Sequence, residues 1–312
     1  MPNPAYDRLR FLYRRLHRGA LGTLSAIGLN AHKTSDFYSP LPVYSELEKT
    51  RELWDQPSEM VGVTYDLERM KALLSQIVAE HGEGYLRLPS YQENKKVGYG
   101  PGFTIIDSMT LYLLMRHLKP RRYIEVGSGL STYYSWLATE KNREDGAPCS
   151  MSVVDPYPRP TLRELSGLSI SIRPVQEVEP DFFAQLDSGD VLFIDTTHVL
   201  KIGGDVAYLF LEIVPRVRPG VVIHVHDIHF PYNVPYPAEQ YIFRTKWPSY
   251  FTEAMLLQAF LAFNDAFELL MSAPLLRYFD EDFLARTIPN YRPVEVSDYD
   301  THFGSIWLQR VQ

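Results

Sequence analysis

The chain has 312 residues, of which 45% are hydrophobic and 22% charged, and its net charge is −7. Such a chain can bury one substantial core together with an appendage. Its single cysteine, Cys149, excludes a disulfide framework and a cysteine-rich metal site. The negative charge argues against a nucleic-acid partner, which would require a basic groove. No apolar run reaches the roughly 20 residues of a membrane span, so we expect a cytoplasmic protein.

The first hundred residues alternate short helical patterns with loops. Residues 8–18 predict a basic amphipathic helix, since apolar residues recur there at helical spacing. Such a helix could lie on a membrane or a partner, and we favour docking on the protein itself. Residues 67–80 predict a second helix, and residues 94–102 a glycine-rich loop before a helix that Asp107 caps. We interpret residues 1–100 as a helical lid.

A short strand followed by a glycine turn begins the next part of the chain. The apolar run that ends at Val126 is typical of a buried parallel strand, and Gly127 and Gly129 allow the chain to turn sharply after it. The helix that follows points its amino-terminal amides at the same place, which favours ligand binding. A dinucleotide-binding turn would have a third glycine where this chain has Thr132.

Four further strands alternate with helical patterns, which predicts a parallel sheet with helices on both faces. These strands are expected at residues 151–155, 170–175, 190–195 and 221–227. Ligands of such sheets bind beyond the carboxyl ends of the strands. Four predicted strands end there in a carboxylate, namely Glu125, Asp155, Asp195 and Asp227. We therefore expect a site on this edge of the sheet.

The end of the chain breaks the alternation. Residues 250–264 predict a helix, and residues 267–271 and 303–308 predict two strands with no long helix between them. Five parallel strands followed by an antiparallel pair, with Glu125-x-Gly-x-Gly129 after the first, resemble the class I S-adenosylmethionine-dependent methyltransferase-like family. The resemblance covers residues 101–312, the second predicted domain. It implies an α/β Rossmann-like sheet of seven strands with helices on both faces.

The resemblance also implies that S-adenosylmethionine is the cofactor and assigns residues to its parts. The amino-acid end would be held by Glu125, Gly127 and Gly129, with Ser131 in place of the third glycine that is common in the family. Asp155 would bind the ribose hydroxyls, and Gln176 and Glu177 would lie near the adenine. Asp195 would lie beside the sulfonium, where the acceptor reacts.

Histidines surround the ends of the fourth and fifth predicted strands. The candidate catalytic residues are Asp195, His198, His226 and Asp227. A divalent metal could be bound by Asp195, His198, Asp227 and His229, and this mixed donor set suits iron, manganese or zinc. We favour the metal-free alternative, in which His198 or His226 is a general base. His224, inside the strand, is interpreted as a core residue.

Three functions fit these features. The first is methyl transfer to a hydroxyl or amine of a small metabolite, for instance in secondary metabolism. The second is cyclisation, in which the α-amine of the cofactor attacks its own γ-carbon and releases methylthioadenosine. The third is a non-catalytic cofactor-binding module. We expect a small-molecule substrate, and the sequence leaves a homodimer open.

Overall fold

The computed structural model describes residues 19–20, 22–27 and 38–312. The chain divides into two compact units, residues 1–54 and 55–312. In the described part of the first unit, helices span Tyr44–Lys49 and Arg51–Trp54. The predicted basic helix at residues 8–18 lies outside the described residues, and the predicted domain boundary at residue 100 stays a prediction. Among the described residues, every helix is too short or too polar to span a membrane.

A single sheet of seven strands forms the centre of the second unit. Its strand order is β3-β2-β1-β4-β5-β7-β6. The strands are β1 (Arg122–Val126), β2 (Ser150–Val154), β3 (Leu168–Ser171), β4 (Val191–Ile194), β5 (Val222–Val225), β6 (Phe267–Ser272) and β7 (Ile306–Arg310). Strands β1 to β5 pair in parallel, whereas β7 runs antiparallel to β5 and β6. The predicted methyltransferase-like sheet is therefore confirmed.

The central strands are buried on both faces, which is why they contain nearly continuous apolar runs. Every residue of β4 and β5 is buried, as helix-covered parallel strands require. Val126 pairs with Ile194, and Ile194 pairs with Val225. Because the three strands end in register, the residues that follow them lie side by side at one edge of the sheet.

Helices cover the sheet and connect its strands. The α-helices of this unit are Leu67–Leu86, Tyr91–Asn94, Ile105–Leu118, Leu130–Glu144, Pro180–Phe183, Asp205–Tyr208, Glu253–Leu261 and Ala273–Thr287. Segments of π-helix span Lys95–Tyr99, Leu209–Ile213 and Glu239–Phe243, and 3-10 turns span Pro160–Glu164, Val175–Glu177, Val214–Arg216 and Tyr299–Thr301. The chain is thus helical without a break from residue 205 to residue 216, although the type of helix changes twice.

Three local predictions were wrong. A helix of 15 residues, Ala273–Thr287, connects β6 to β7. The backbone is kinked at Asp280, whose angles are not helical, so one apolar period does not run through the whole segment. In place of the expected loop at residues 94–102, Lys95–Tyr99 forms a π-helical segment, although the backbone of Gly98 is not helical. Asp107 is not the cap of the next helix, because Thr104 is its N-cap.

Candidate functional site

The turn after β1 depends on Gly127, which brings the ends of β1 and β4 together. Its φ is +87°, and a Cβ atom built there would lie 1.8 Å from the carbonyl oxygen of Asp195. The backbone amide of Asp195 donates in turn to the carbonyl of Val126 at 2.9 Å. Only glycine fits this position, and the close approach it permits is to the neighbouring strand end.

Glu125 lies beneath this turn and is fully buried. Its carboxyl group accepts hydrogen bonds from the Ser131 hydroxyl at 2.6 Å and from the Tyr123 hydroxyl at 3.2 Å. Burial raises the pKa of Glu125 to about 8, although the hydroxyls of Ser131 and Thr132 oppose the rise. Through its hydrogen bond with Ser131, Glu125 thus connects the end of β1 to the first turn of the following helix.

A cavity of about 410 Å³ opens beyond the ends of β1, β2 and β4. Its lining includes four of the predicted cofactor residues, Gly127, Asp155, Gln176 and Asp195, and also Ser128 from the turn after β1. Sequence reasoning did not single out its other polar lining residues: Thr196, Thr197, Lys201 and Asp205. Four predicted cofactor residues do not line it: Glu125, Gly129, Ser131 and Glu177.

The polar groups of this cavity are held in place by local hydrogen bonds. Asp155 accepts from the hydroxyl of Ser128, and from the backbone amide of Tyr157 at 2.7 Å. The side-chain amide of Gln176 donates to the carbonyl of Gly203 at 3.0 Å. The loops after β1 and β2 thus contact each other through Ser128 and Asp155, and the loops after β3 and β4 contact each other through Gln176 and Gly203.

One wall of the cavity is shared with a cluster of two aspartates and two histidines. We call Asp195, His198, His226 and Asp227 the Asp–His cluster. His198 Nε2 lies 3.3 Å from Asp195 Oδ1 and 3.3 Å from Asp227 Oδ2. His226 Nδ1 lies 3.5 Å from Asp195 Oδ1 and 3.8 Å from Asp227 Oδ1. The structure thus brings together all four predicted catalytic residues.

Two further carboxylates lie behind the histidines of this cluster. Asp107 Oδ2 is 3.2 Å from His226 Nε2, and Glu253 Oε2 is 2.9 Å from His198 Nδ1. Both acids are buried. Sequence reasoning missed both contacts, since it assigned Asp107 only as a helix cap and did not single out Glu253 within the predicted helix at residues 250–264.

The carboxylates make both imidazoles strongly basic. Burial alone would lower the pKa of His198, but Asp227, Asp195 and Glu253 raise it to about 10. The pKa of His226 is also raised, because Asp227 and Asp195 outweigh burial. Burial would raise the pKa of Asp195, but the two imidazoles lower it below its ordinary value. Both histidines are therefore protonated near neutral pH until further positive charge reaches the cluster.

The other two histidines of this region lie outside the cluster. His224 is fully buried, its ring stacks 4.0 Å from that of Phe193, and its Nε2 lies 2.9 Å from the hydroxyl of Ser305. The structure thus gives it the environment expected of a core residue. His229 lies against Gly304, and burial lowers its pKa to about 4. It does not join the group of metal-ligating atoms formed by Asp195, His198 and His226.

The cluster has the donor set of a divalent-metal site. Ligand atoms of Asp195, His198 and His226 all lie within 4.8 Å of one another. His226 Nδ1 is buried without a hydrogen-bond partner, so it is available as a ligand. Two imidazoles and a carboxylate fit iron, manganese or zinc better than magnesium. Asp227, the fourth cluster residue, is a further candidate ligand.

Comparison with known proteins gives a family match for part of this domain. Residues 124–228 match the family model of a methyltransferase domain. The matched region runs from within β1 to just beyond β5 and contains the turn, every lining residue of the cavity and the whole Asp–His cluster. Together with the strand order, the match confirms the predicted resemblance to class I S-adenosylmethionine-dependent methyltransferases.

Three similar proteins cover different shares of the chain. An uncharacterized protein from Archaeoglobus fulgidus is 24% identical over 161 residues, which are 48% of this chain and 72% of that protein. An O-methyltransferase from Bacillus cereus, in complex with SAH, is 12% identical, with 79% of this chain and 100% of that chain covered and a TM-score of 0.41. An O-methyltransferase from Streptomyces achromogenes, in complex with SAM, is 14% identical, with coverages of 86% and 96% and a TM-score of 0.37.

Proposed function

We propose that the chain binds S-adenosylmethionine in the cavity and transfers its methyl group to a hydroxyl or amine of a small metabolite. The observation that carries the proposal is the position of Asp195, which lines the cavity and also belongs to the Asp–His cluster. A cofactor in the cavity would therefore reach the cluster, where an acceptor can be held. The family match of residues 124–228 supports the same reaction class.

The residues around the cavity have groups suited to each part of the cofactor. The Asp155 carboxylate can accept hydrogen bonds from two ribose hydroxyls, and Gln176 borders the space assigned to the adenine. Gly127 and Ser128 bring the backbone to the cavity at the turn. The negative charge of Asp195 would stabilise the cofactor's positive sulfonium, which activates the methyl group for displacement.

The Asp–His cluster would align the acceptor and remove its proton. His198 and His226 are protonated as the cluster stands, so neither can act as a base at once. Binding of S-adenosylmethionine would place its positive sulfonium beside Asp195. This charge would lower the pKa of both imidazoles, because it offsets part of the negative charge that stabilises their protonated forms. Binding of the cofactor would therefore prepare the cluster to take a proton from the acceptor.

A divalent ion fits the same residues. Asp195, His198 and His226 would hold it, and it would lower the pKa of an acceptor hydroxyl. Dialysis against a chelator followed by addition of Mn²⁺ tests this part of the proposal. Activity that falls and then returns with the ion supports a metal site, whereas activity indifferent to chelation supports the metal-free base.

Isothermal titration calorimetry tests the cofactor assignment. We expect S-adenosylmethionine and S-adenosylhomocysteine each to bind at one site per chain with micromolar affinity, and NAD to give no heat. NAD is the matched control because it also has adenosine ribose hydroxyls, but proteins bind it through a turn with a different glycine spacing. A folded protein that binds neither S-adenosylmethionine nor S-adenosylhomocysteine would contradict the proposal.

A further inference from the structure

Each imidazole of the Asp–His cluster is held from behind by a buried acid on a different helix. Asp107 is in the first turn of Ile105–Leu118, and Glu253 begins the helix Glu253–Leu261. Asp107 contacts His226 Nε2, and Glu253 contacts His198 Nδ1. In both histidines the other ring nitrogen faces Asp195 and Asp227. Each of the two acid–histidine pairs thus presents one ring nitrogen to the space beside Asp195 and Asp227.

The backbone around His198 is built to hold this arrangement. The φ angles of His198 and Asp227 are +58° and +54°, a left-handed conformation that residues other than glycine rarely adopt. The carbonyl of His198 accepts hydrogen bonds from the amides of Thr252 at 2.9 Å and Glu253 at 3.1 Å. Glu253 therefore holds His198 through both its backbone and its side chain. Strained residues fixed by several contacts are typical of functional sites.

Asp107 is fixed as firmly as Glu253. Its carboxylate accepts from the Thr104 hydroxyl at 2.8 Å and from the Gly304 amide at 3.2 Å, in addition to its contact with His226. With these donors it remains an acceptor, so the proton between Asp107 and His226 stays on the imidazole. The opposite nitrogen, His226 Nδ1, is buried without a hydrogen-bond partner.

We propose that Asp107 and Glu253 are positioning residues, which keep a proton on His226 Nε2 and His198 Nδ1 so that His226 Nδ1 and His198 Nε2 face the methyl acceptor. This inference rests on the proposed function. Neither acid lines the cavity, and both lie outside the residues that match the methyltransferase family model. A hydrogen bond from a carboxylate to the far nitrogen fixes both the orientation and the tautomer of an imidazole.

Proton NMR of the histidine ring N–H groups tests the geometry without an acceptor or turnover. In the wild-type protein with specifically ¹⁵N-labelled histidine, we expect a far-downfield, slowly exchanging signal from His198 Nδ1–H and another from His226 Nε2–H. Glu253→Gln should remove or shift only the first signal, and Asp107→Asn only the second. Absence of both signals from the folded wild type would overturn the proposal even if a variant failed to fold.

Asp190→Asn is the matched control for these variants. Asp190 is also a fully buried carboxylate that accepts backbone hydrogen bonds, from Arg122 at 2.9 Å and Asp187 at 3.0 Å, but it precedes β4 at the opposite edge of the sheet. It should leave both ring signals unchanged. Ring signals that respond equally to Asp190→Asn and to the other two variants would show a general structural effect and contradict the proposal.

Turnover then separates positioning from structure. With the acceptor identified by product analysis, each of Glu253→Gln and Asp107→Asn should lower kcat roughly 10- to 100-fold, while calorimetric affinity for S-adenosylhomocysteine stays within about threefold. A kcat within threefold of wild type, with the ring signal lost, would overturn the positioning role. Failure to bind both S-adenosylmethionine and S-adenosylhomocysteine would instead refute the proposed function. The ring signals would still report on the Asp107–His226 and Glu253–His198 pairs.

Discussion

Replacement of Gly127 by alanine should damage both the stability of the protein and its cofactor site. The new Cβ would lie 1.8 Å from the Asp195 carbonyl oxygen, which is 1.6 Å short of an ordinary 3.4 Å contact. No side chain can move aside, because the opposing atom belongs to the backbone. A left-handed alanine costs about 1–2 kcal/mol, and overpacking adds about 1–3 kcal/mol. We expect Gly127→Ala to lose about 2–5 kcal/mol of unfolding free energy.

Gly146→Ala provides the control for the backbone conformation alone. Gly146 has a φ of +83°, and a Cβ there would meet no atom within 4 Å. It should lose only the first contribution, about 1–2 kcal/mol, and bind S-adenosylhomocysteine normally. Urea unfolding and calorimetry give both quantities for the two variants. If Gly127→Ala matched Gly146→Ala in stability and in affinity, the argument from the approach of β1 and β4 would be refuted.

Two further perturbations test the cavity and the buried acid beneath it. Asp155→Ala should weaken S-adenosylhomocysteine binding by about 1.5–3 kcal/mol, because the ribose hydrogen bonds are lost. Asp181→Ala is the control, since Asp181 is exposed and lies outside the cavity, and it should leave the affinity unchanged. Equal affinities of the two variants would show that Asp155 is not part of the site. The pKa of Glu125 is raised to about 8 in the folded protein. The protonated Glu125 therefore contributes stability that is fully present below the ordinary pKa of a glutamate. This stability is lost as the pH rises toward 8, by about 1.4 kcal/mol per pH unit. Urea unfolding should therefore show Glu125→Gln gaining on the wild type between pH 5 and pH 8, and a constant difference would contradict the raised pKa.

The edge of the sheet that forms the site could be predicted from the sequence because it follows from strand order. Parallel strands end at a common edge, so the residues after β1, β2, β4 and β5 had to lie close together. Asp155 and Asp195 accordingly line one cavity, and Asp195 meets His226. Glu125 is different, since it is still within β1 and side chains alternate between the faces of a strand. Its side chain points to Ser131 and Tyr123 instead.

The parts that could not be predicted depend on contacts between distant elements. Asp107 lies 119 positions before His226, and Glu253 lies 55 positions after His198. Nothing in the local pattern of either helix indicates which side chain it will meet. The helix Ala273–Thr287 was missed for a local reason, because it is kinked at Asp280 and its two parts do not share one apolar period.

Product analysis with S-adenosylmethionine tests the central claim most directly. The purified protein is incubated with the methyl donor alone and with a panel of small hydroxyl and amine acceptors, and the products are followed by mass spectrometry. Methyl transfer predicts that the donor stays intact until an acceptor is added, and that S-adenosylhomocysteine and a methylated acceptor then appear together. Methylthioadenosine that accumulates without any acceptor, faster than the spontaneous reaction, would contradict methyl transfer and favour cyclisation of the cofactor.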